Sequence, residues 1–413
     1  MAPVTDTSEP RVRRPASPFA DVRPAVALAV LYGAAVVVWL VGGRGLPGNR
    51  WFAIHLFTLG VLSNAVLAFT RHFAETMLHR PSPDHPHARL AVLNVGALAV
   101  LVGLPSGQRL LVGLGAMLAC AAVFSLYRVL RRLRRTSLPS RFTFVVRTYE
   151  RACGAFLHGA VLGALLGTTV IPASWSGGAR LAHLHANVLG WGGLTLLATL
   201  VVFGPTILRT RMRPRADATA ARWLRYGATG LTVAVLALVV SAPPAPLWLI
   251  WRTVAAAGLV VYAVAASAVC MSVLSAARTA RASAPGFSIT AACVWFPGVA
   301  WADAVAVATG RWWLLDALGV VVLAGVLGQA VLASMGYLAP LLRTSGDLRD
   351  VVRRRVSAGA LPRVVLLNAG VAAVAAAVAG VAPPAARIGW AAVVTAVLVQ
   401  GALTAWPVRR RAD

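Results

Sequence analysis

Residues 90–127 read LAVLNVGALAVLVGLPSGQRLLVGLGAMLACAAVFSLY: two long apolar runs separated by the turn Leu104-Pro105-Ser106-Gly107-Gln108. A helix needs about 20 apolar residues to cross the hydrocarbon core of a bilayer. Neither run keeps a polar face for water, and the connection is too short to let them part. The pair reads as a helical hairpin in lipid, spanning roughly 90–105 and 108–127. The same ruler, applied outward, predicts further spans near 24–42, 51–69, 150–171 and 183–203. The second half adds 224–242, 247–274, 289–309, 313–338, 363–382 and 386–406, the last two again joined by a short turn.

Composition agrees with that reading. Of 413 residues, 59% are hydrophobic and 12% charged, with a mean hydropathy of +0.75. A soluble domain carries about a quarter of its residues as charges, so this chain cannot cover a water-facing surface. The expected fold is all-α, a polytopic membrane helix bundle of about twelve spans with both termini cytoplasmic. Residues 1–23 form a polar, Pro-rich, disordered N-tail, 24–406 the membrane domain and 407–413 a short C-tail. The apolar stretch from Pro24 to Gly42 exceeds the roughly 7–15 residues of a signal-peptide core, so it reads as a permanent first span.

The net charge of +27 does not indicate a nucleic-acid partner. All 39 basic residues are arginine, set in short clusters between apolar runs, with no aromatic–basic interleaving of the kind single-strand binders use. Their distribution reports topology instead, because cytoplasmic loops collect positive charge. With a cytoplasmic N-terminus, the outside loops hold only Arg44, Arg50, Arg109, Arg180, Arg252, Arg311 and Arg387, and every other arginine falls inside. Trp39, Trp51, Trp175, Trp248, Trp312, Trp313 and Trp390 mark the outer boundaries, as an aromatic belt does. The expected location is the cytoplasmic membrane and the expected partner is the bilayer itself. No loop is long enough for a soluble domain, and no internal repeat is evident. The run AGVAAVAAAVAG (369–380) points to close helix packing through small side chains.

Cys120, Cys153, Cys270 and Cys293 all lie within predicted spans and form no C-x-x-C, which argues against a zinc ribbon or covalently attached heme. The informative residues are those that lipid penalises. His72, His79, His85 and His87 sit at or beyond the cytoplasmic end of the second span and read as solvated. His55, His158, His183 and His185 lie in or at the edges of apolar helices. His55 is four residues, about 6 Å, below Trp51, and His183 and His185 open the sixth span, so these three share one depth in the outer third. His158 lies nearer the middle of the fifth span.

His183 and His185 are two residues apart and point about 200° from one another on a helix, so they cannot ligate one metal together. His55 with one of them could form an axial pair for heme iron, with ring nitrogens about 4 Å apart. The reading favours His55 and His185, with His183 as a further cofactor ligand and His158 as a metal candidate. Asn187, Trp191 and Asp303 are expected around them. Interhelical hydrogen bonding is the competing account of the same histidines. Asp303, flanked by Trp301 and an apolar run, reads as a proton carrier, a partner that orients a histidine, or the partner of an arginine. Asp316 is expected to pair with Arg311. Asn64, Asn94, Asn187, Gln329 and Asn368 read as interhelical hydrogen-bonding amides.

Three stretches carry a family likeness: HLFTLGVLSNAVLAFTRHFAETML (55–78), RLAHLHANVLGWGGLTLLATLVVFGPTILRTRM (180–212) and VLGQAVLASMGYLAPLL (326–342). They resemble the membrane region of actinobacterial membrane-bound copper oxidase and nitrite-reductase-like proteins. More distantly, His55 and the His183-Leu184-His185 pair are similar to the heme-ligand pattern of heme-copper oxidase subunit I. That resemblance implies heme b or copper as cofactor, and a redox partner or periplasmic copper protein as partner. The chain departs from the oxidase pattern in lacking the three further histidines of its copper site, so a complete oxygen-reducing centre is not expected. The leading expectation is a heme- or copper-binding component of a respiratory or nitrogen-oxide redox system. The alternatives are a transporter or permease, and a non-catalytic membrane subunit or assembly factor of a copper or heme enzyme.

Overall fold

The computed structural model describes residues 20–43, 49–82, 84–212, 214–241, 247–343 and 346–405. The expected disordered N-tail falls outside these except for 20–23, and the C-tail falls outside entirely. Everything regular among the described residues is helical, as it must be where no water can satisfy backbone N–H and C=O groups. The helices are α1 (Arg23–Gly42), α2 (Arg50–Met77), α3 (Pro86–Gly103), α4 (Arg109–Thr136), α5 (Thr143–Gly167), α6 (Ala173–Leu208) and α7 (Ala216–Val239). They continue with α8 (Trp248–Ala277), α9 (Ala284–Thr309), α10 (Leu314–Leu342), α11 (Asp347–Ser357), α12 (Ala360–Val378) and α13 (Ala385–Ala405).

Ten of these, among the described residues, are long and apolar enough to cross a membrane. The chain is therefore a multi-pass helical membrane protein. Helices α5 and α7 are as long as the others but start with charge: Arg147, Glu150 and Arg151 in one, Arg222 and Arg225 in the other. Helix α11 is short and amphipathic. Its Val352 and Val356 are buried beside Ala284 and Ala360, so the connection between α10 and α12 is itself folded.

An internal repeat, not evident in the sequence, becomes plain in the backbone. Helices α2, α6 and α10 each switch from α to π geometry: at Leu56–Leu62, Ala186–Leu194 and Val321–Gly328. Each switch starts four residues before a glycine: Gly60, Gly190 and Gly325. From those glycines the chain reads GVLSNAVLA (60–68), GWGGLTLLA (190–198) and GVLGQAVLA (325–333). The first and third differ only at Ser63/Gly328 and Asn64/Gln329. The π turns thus supply the register that hydropathy alone does not. They are also features that recur at functional sites.

The helices fall into three sets of four, each with its π-containing helix second: α1–α4, α5–α8, and α9, α10, α12, α13. In every set the third and fourth helices form a tight hairpin, and in every hairpin two glycines face one another. A Cβ on Gly96 would lie 2.6 Å from Gly115 O, on Gly230 2.6 Å from Gly258 O, and on Gly370 2.7 Å from Gly389 O. Such contacts permit backbone approach that no side chain allows. The fourth helix of each set packs on the first of the next, α4 on α5, α8 on α9, and α13 on α1. The three π stretches meet at Gly192, whose missing Cβ would stand 2.9 Å from Leu327 and 3.2 Å from Leu62. Replacing Gly230 by valine is expected to destabilise the protein by about 2 kcal/mol, since the clash is with backbone that cannot move aside. Thermal unfolding in detergent measures it, and an unchanged midpoint would mean that the hairpin tolerates separation.

Equivalent amides follow the first and third π stretches. Asn64 donates to Gly60 O and exchanges hydrogen bonds with Asn94 of α3. Gln329 donates to Gly325 O and exchanges hydrogen bonds with Asn368 of α12. The interhelical role expected of these amides is what the structure shows. Asp316 differs from expectation: it pairs with Arg50 of α2 at 2.7 Å rather than with its near neighbour Arg311. The side chain opens α10 beside the start of α2, so packing selects the arginine across the interface.

Candidate functional site

His55 and His185 occupy the same position in the repeat, the residue immediately before the π stretch, where the third set has Val320. Both are held the same way. His55 Nδ1 lies 2.8 Å from Trp51 O, and His185 Nδ1 lies 2.7 Å from Leu181 O, each the carbonyl four residues earlier. A carbonyl only accepts, so Nδ1 carries a proton in each ring. Fixing one ring nitrogen on a backbone carbonyl is how proteins orient a histidine whose other nitrogen is used.

The two Nε2 atoms meet different neighbours. His185, fully buried, puts Nε2 3.1 Å from Asp303 Oδ1 of α9. Of the roles considered for Asp303, orienting a histidine is the one the geometry displays. Its second oxygen, Oδ2, is buried without a hydrogen-bond partner among the described residues. Nδ1 of His185 already donates to Leu181 O, so the contact with Asp303 Oδ1 requires a second proton, on Nε2 or on the carboxyl, and both ring nitrogens are engaged.

Opposite His55 stands His183 instead. Their rings are 6.3 Å apart between centroids and within 17° of parallel. The sequence leaves open which of His183 and His185 faces His55 and favours His185; the structure turns His185 toward α9 and brings His183 to His55. His183 Nδ1 lies 2.7 Å from Gly159 O of α5, so it too carries its proton on Nδ1, and Nε2 keeps a free lone pair. A metal accepting both Nε2 atoms at about 2 Å, with each ring centroid about 1.1 Å further on, would separate the centroids by about 6 Å. The observed 6.3 Å is of that length, and no group of three or more His, Cys, Asp or Glu side chains able to hold a metal is found among the described residues.

Small residues make the arrangement fit. A Cβ on Gly163 would lie 2.6 Å from His183 Cε1, and one on Gly159 would lie 2.2 Å from Asn187 Nδ2. These two α5 glycines, one turn apart, cradle His183 and Asn187, and the sequence reading missed them. Their signal was there in Gly159-Ala160-Val161-Leu162-Gly163, the small-x3-small spacing of close helix approach. Trp51 was read only as a belt residue, yet its ring stacks on His55 at 4.1 Å.

Asn187, expected to bond between helices, instead donates to His183 O of its own helix at 2.9 Å. Its 3.3 Å approach to His183 Nδ1 is no hydrogen bond once that nitrogen donates to Gly159. Trp191, almost fully buried, donates through Nε1 to Ser63 Oγ at 3.0 Å and packs on Phe156, tying the π stretch of α6 to that of α2. His158 is exposed on the outside of the bundle with Nδ1 on Gly154 O. The structure does not bring it to the other three histidines. The four cysteines are unbridged.

The fold and the site together define a multi-pass helical membrane protein with an interior pair of facing histidines and a separate buried histidine–aspartate pair. No known protein family matches the chain, and no curated protein is significantly similar to it.

Proposed function

We propose that the protein is a redox component of the cytoplasmic membrane, holding one heme iron or copper ion between His55 and His183. The observation that carries this reading is the pair itself: two near-parallel imidazoles 6.3 Å apart, each with Nδ1 on a backbone carbonyl and with no hydrogen-bond partner for Nε2 among the described residues. Two neutral imidazoles are ligands common to iron and copper. Bound there, either metal would supply one-electron transfer.

The residues around the pair have distinct tasks in this reading. Trp51 shields one face of His55, Gly159 and Gly163 hold His183 in place, and Trp191 locks α6 to α2 beneath it. All twelve long helices cross the bilayer, with both termini cytoplasmic. The arginine distribution supports that topology, and so does the threefold pattern of four-helix sets, which places α5 and α7 in the same roles as α1, α9, α3 and α12. The centre then lies in the outer third of the membrane, within reach of an electron-transfer partner on that side. The absent three-histidine copper set argues for electron transfer or nitrogen-oxide handling rather than reduction of oxygen.

Visible spectra of the purified protein, oxidised and reduced, together with metal analysis, test the proposal. A redox-dependent heme absorption or a stoichiometric copper content is expected. A colourless, metal-free protein that is folded and stays so after supply of heme and copper would end this reading.

A further inference from the structure

A cavity of about 480 Å³ lies between the last turns of α6 and α8 and the first turns of α7, at the end of the bundle opposite the histidine pair. Its volume falls within the range of about 300–1,000 Å³ typical of small-molecule sites. Its walls change character with depth. The inner end is apolar, with Leu200 of α6 and Val269 of α8 each about 12 Å below the end of its helix. The mouth carries Ser272 and Ser275 of α8, Thr219 of α7 and Arg211 of the connection between α6 and α7. A hydroxyl in a membrane helix ordinarily donates to a carbonyl of the preceding turn, as Ser267 does to Ala263 O. Ser272 and Ser275, half-buried and three residues apart on one face of α8, have no hydrogen-bond partner among the described residues.

The charge around the mouth is positive. Arg211 is exposed there and has no ion pair among the described residues. Arg209 and Arg278 directly follow the carboxyl ends of α6 and α8 and offset their negative dipoles. Helix α7 presents its positive amino end, which Arg215 before it leaves without a side-chain cap. The nearest acid in sequence, Asp217 in the first turn of α7, accepts from Ala218 N–H. An apolar floor beneath free hydroxyls and a guanidinium suits an amphiphile, with its chain below and an anionic head above. A planar guanidinium fork meets a phosphate in two-point contact, and basic pockets between membrane helices take anionic headgroups.

We propose that this cavity holds one anionic phospholipid, with its phosphate on Arg211 and the hydroxyls of Ser272 and Ser275, and one acyl chain against Leu200 and Val269. In the topology proposed above this end faces the cytoplasm, so the lipid comes from the inner leaflet. The site itself depends neither on that topology nor on the histidine pair and any metal there.

Native mass spectrometry of the full-length protein, released from nanodiscs holding phosphatidylglycerol and phosphatidylcholine in equal amounts, reads the retained lipid. One phosphatidylglycerol per chain is expected. Arg211→Gln is expected to lower its retention at least tenfold. The double variant Ser272→Ala with Ser275→Ala, which removes only two hydroxyl groups, is expected to lower it several-fold with an unchanged unfolding midpoint. Arg135→Gln, exposed in the last turn of α4 and no part of the cavity, is the control and should change nothing. Loss in the first two variants with full retention in the third supports the site. Wild-type protein that retains no phosphatidylglycerol, or a quinone in its place, overturns the proposal. So does retention that Arg211→Gln leaves untouched, or that Arg135→Gln lowers as much.

Discussion

If His55 and His183 hold the proposed metal, replacing His183 by alanine should strip it as completely as replacing His55, whereas His185→Gln should leave it bound. His183 and His55 face one another with free Nε2 atoms, while His185 has given its Nε2 to Asp303. Loss of even an outer partner of a metal ligand costs about 10–100-fold in affinity, so losing one of two direct ligands should cost at least about a hundredfold. Glutamine at 185 is chosen because its amide can still donate to Asp303, which keeps the fold comparable. Metal content and the reduced-minus-oxidised spectrum of the three variants read the result. Metal retained in His183→Ala but lost in His185→Gln would move the centre to the other histidine and reject the pairing.

The second large effect concerns stability. His185→Leu removes the only hydrogen-bond partner of a carboxyl group that is buried between α6 and α9, among the described residues. Removing one member of a buried polar or ionic pair costs about 3–5 kcal/mol, whereas replacing both by apolar residues of similar size is often near neutral. His185→Leu should therefore lower the unfolding midpoint sharply, and adding Asp303→Leu should restore most of the loss. Thermal unfolding in detergent, run as a double-mutant cycle, measures the coupling between the two. Additive effects would show that the 3.1 Å contact contributes nothing beyond its two separate side chains.

The helices were legible because lipid leaves a chain little choice. A run such as LAVLNVGALAVLVG can bury its backbone polar groups only as a helix, and a turn as short as LPSGQ can return it only as a hairpin. Polar residues inside such helices were legible too, since each opposes a transfer penalty. That is how His55, His183, His185, Asp303 and the five amides stood out. The repeat was harder to see. Between α2 and α10 it rests on nine residues, and in α6 the same register keeps few side chains beyond Gly190, Leu197 and Ala198. The π turns restore it because backbone geometry persists where side chains have diverged.

By itself, then, the sequence determined the class of fold and the helices, and led to the expectation of a common depth for three histidines. Those properties follow from hydropathy and from the fixed rise of a helix. Which histidine meets which neighbour was decided only by tertiary structure. His183 and His185 differ by two residues and so face opposite sides of α6. Depth is a coordinate along a helix, whereas partnership depends on rotation about it. That rotation is set by Gly159 and Gly163 of α5 on one side and Asp303 of α9 on the other, residues brought to α6 only when the bundle packs.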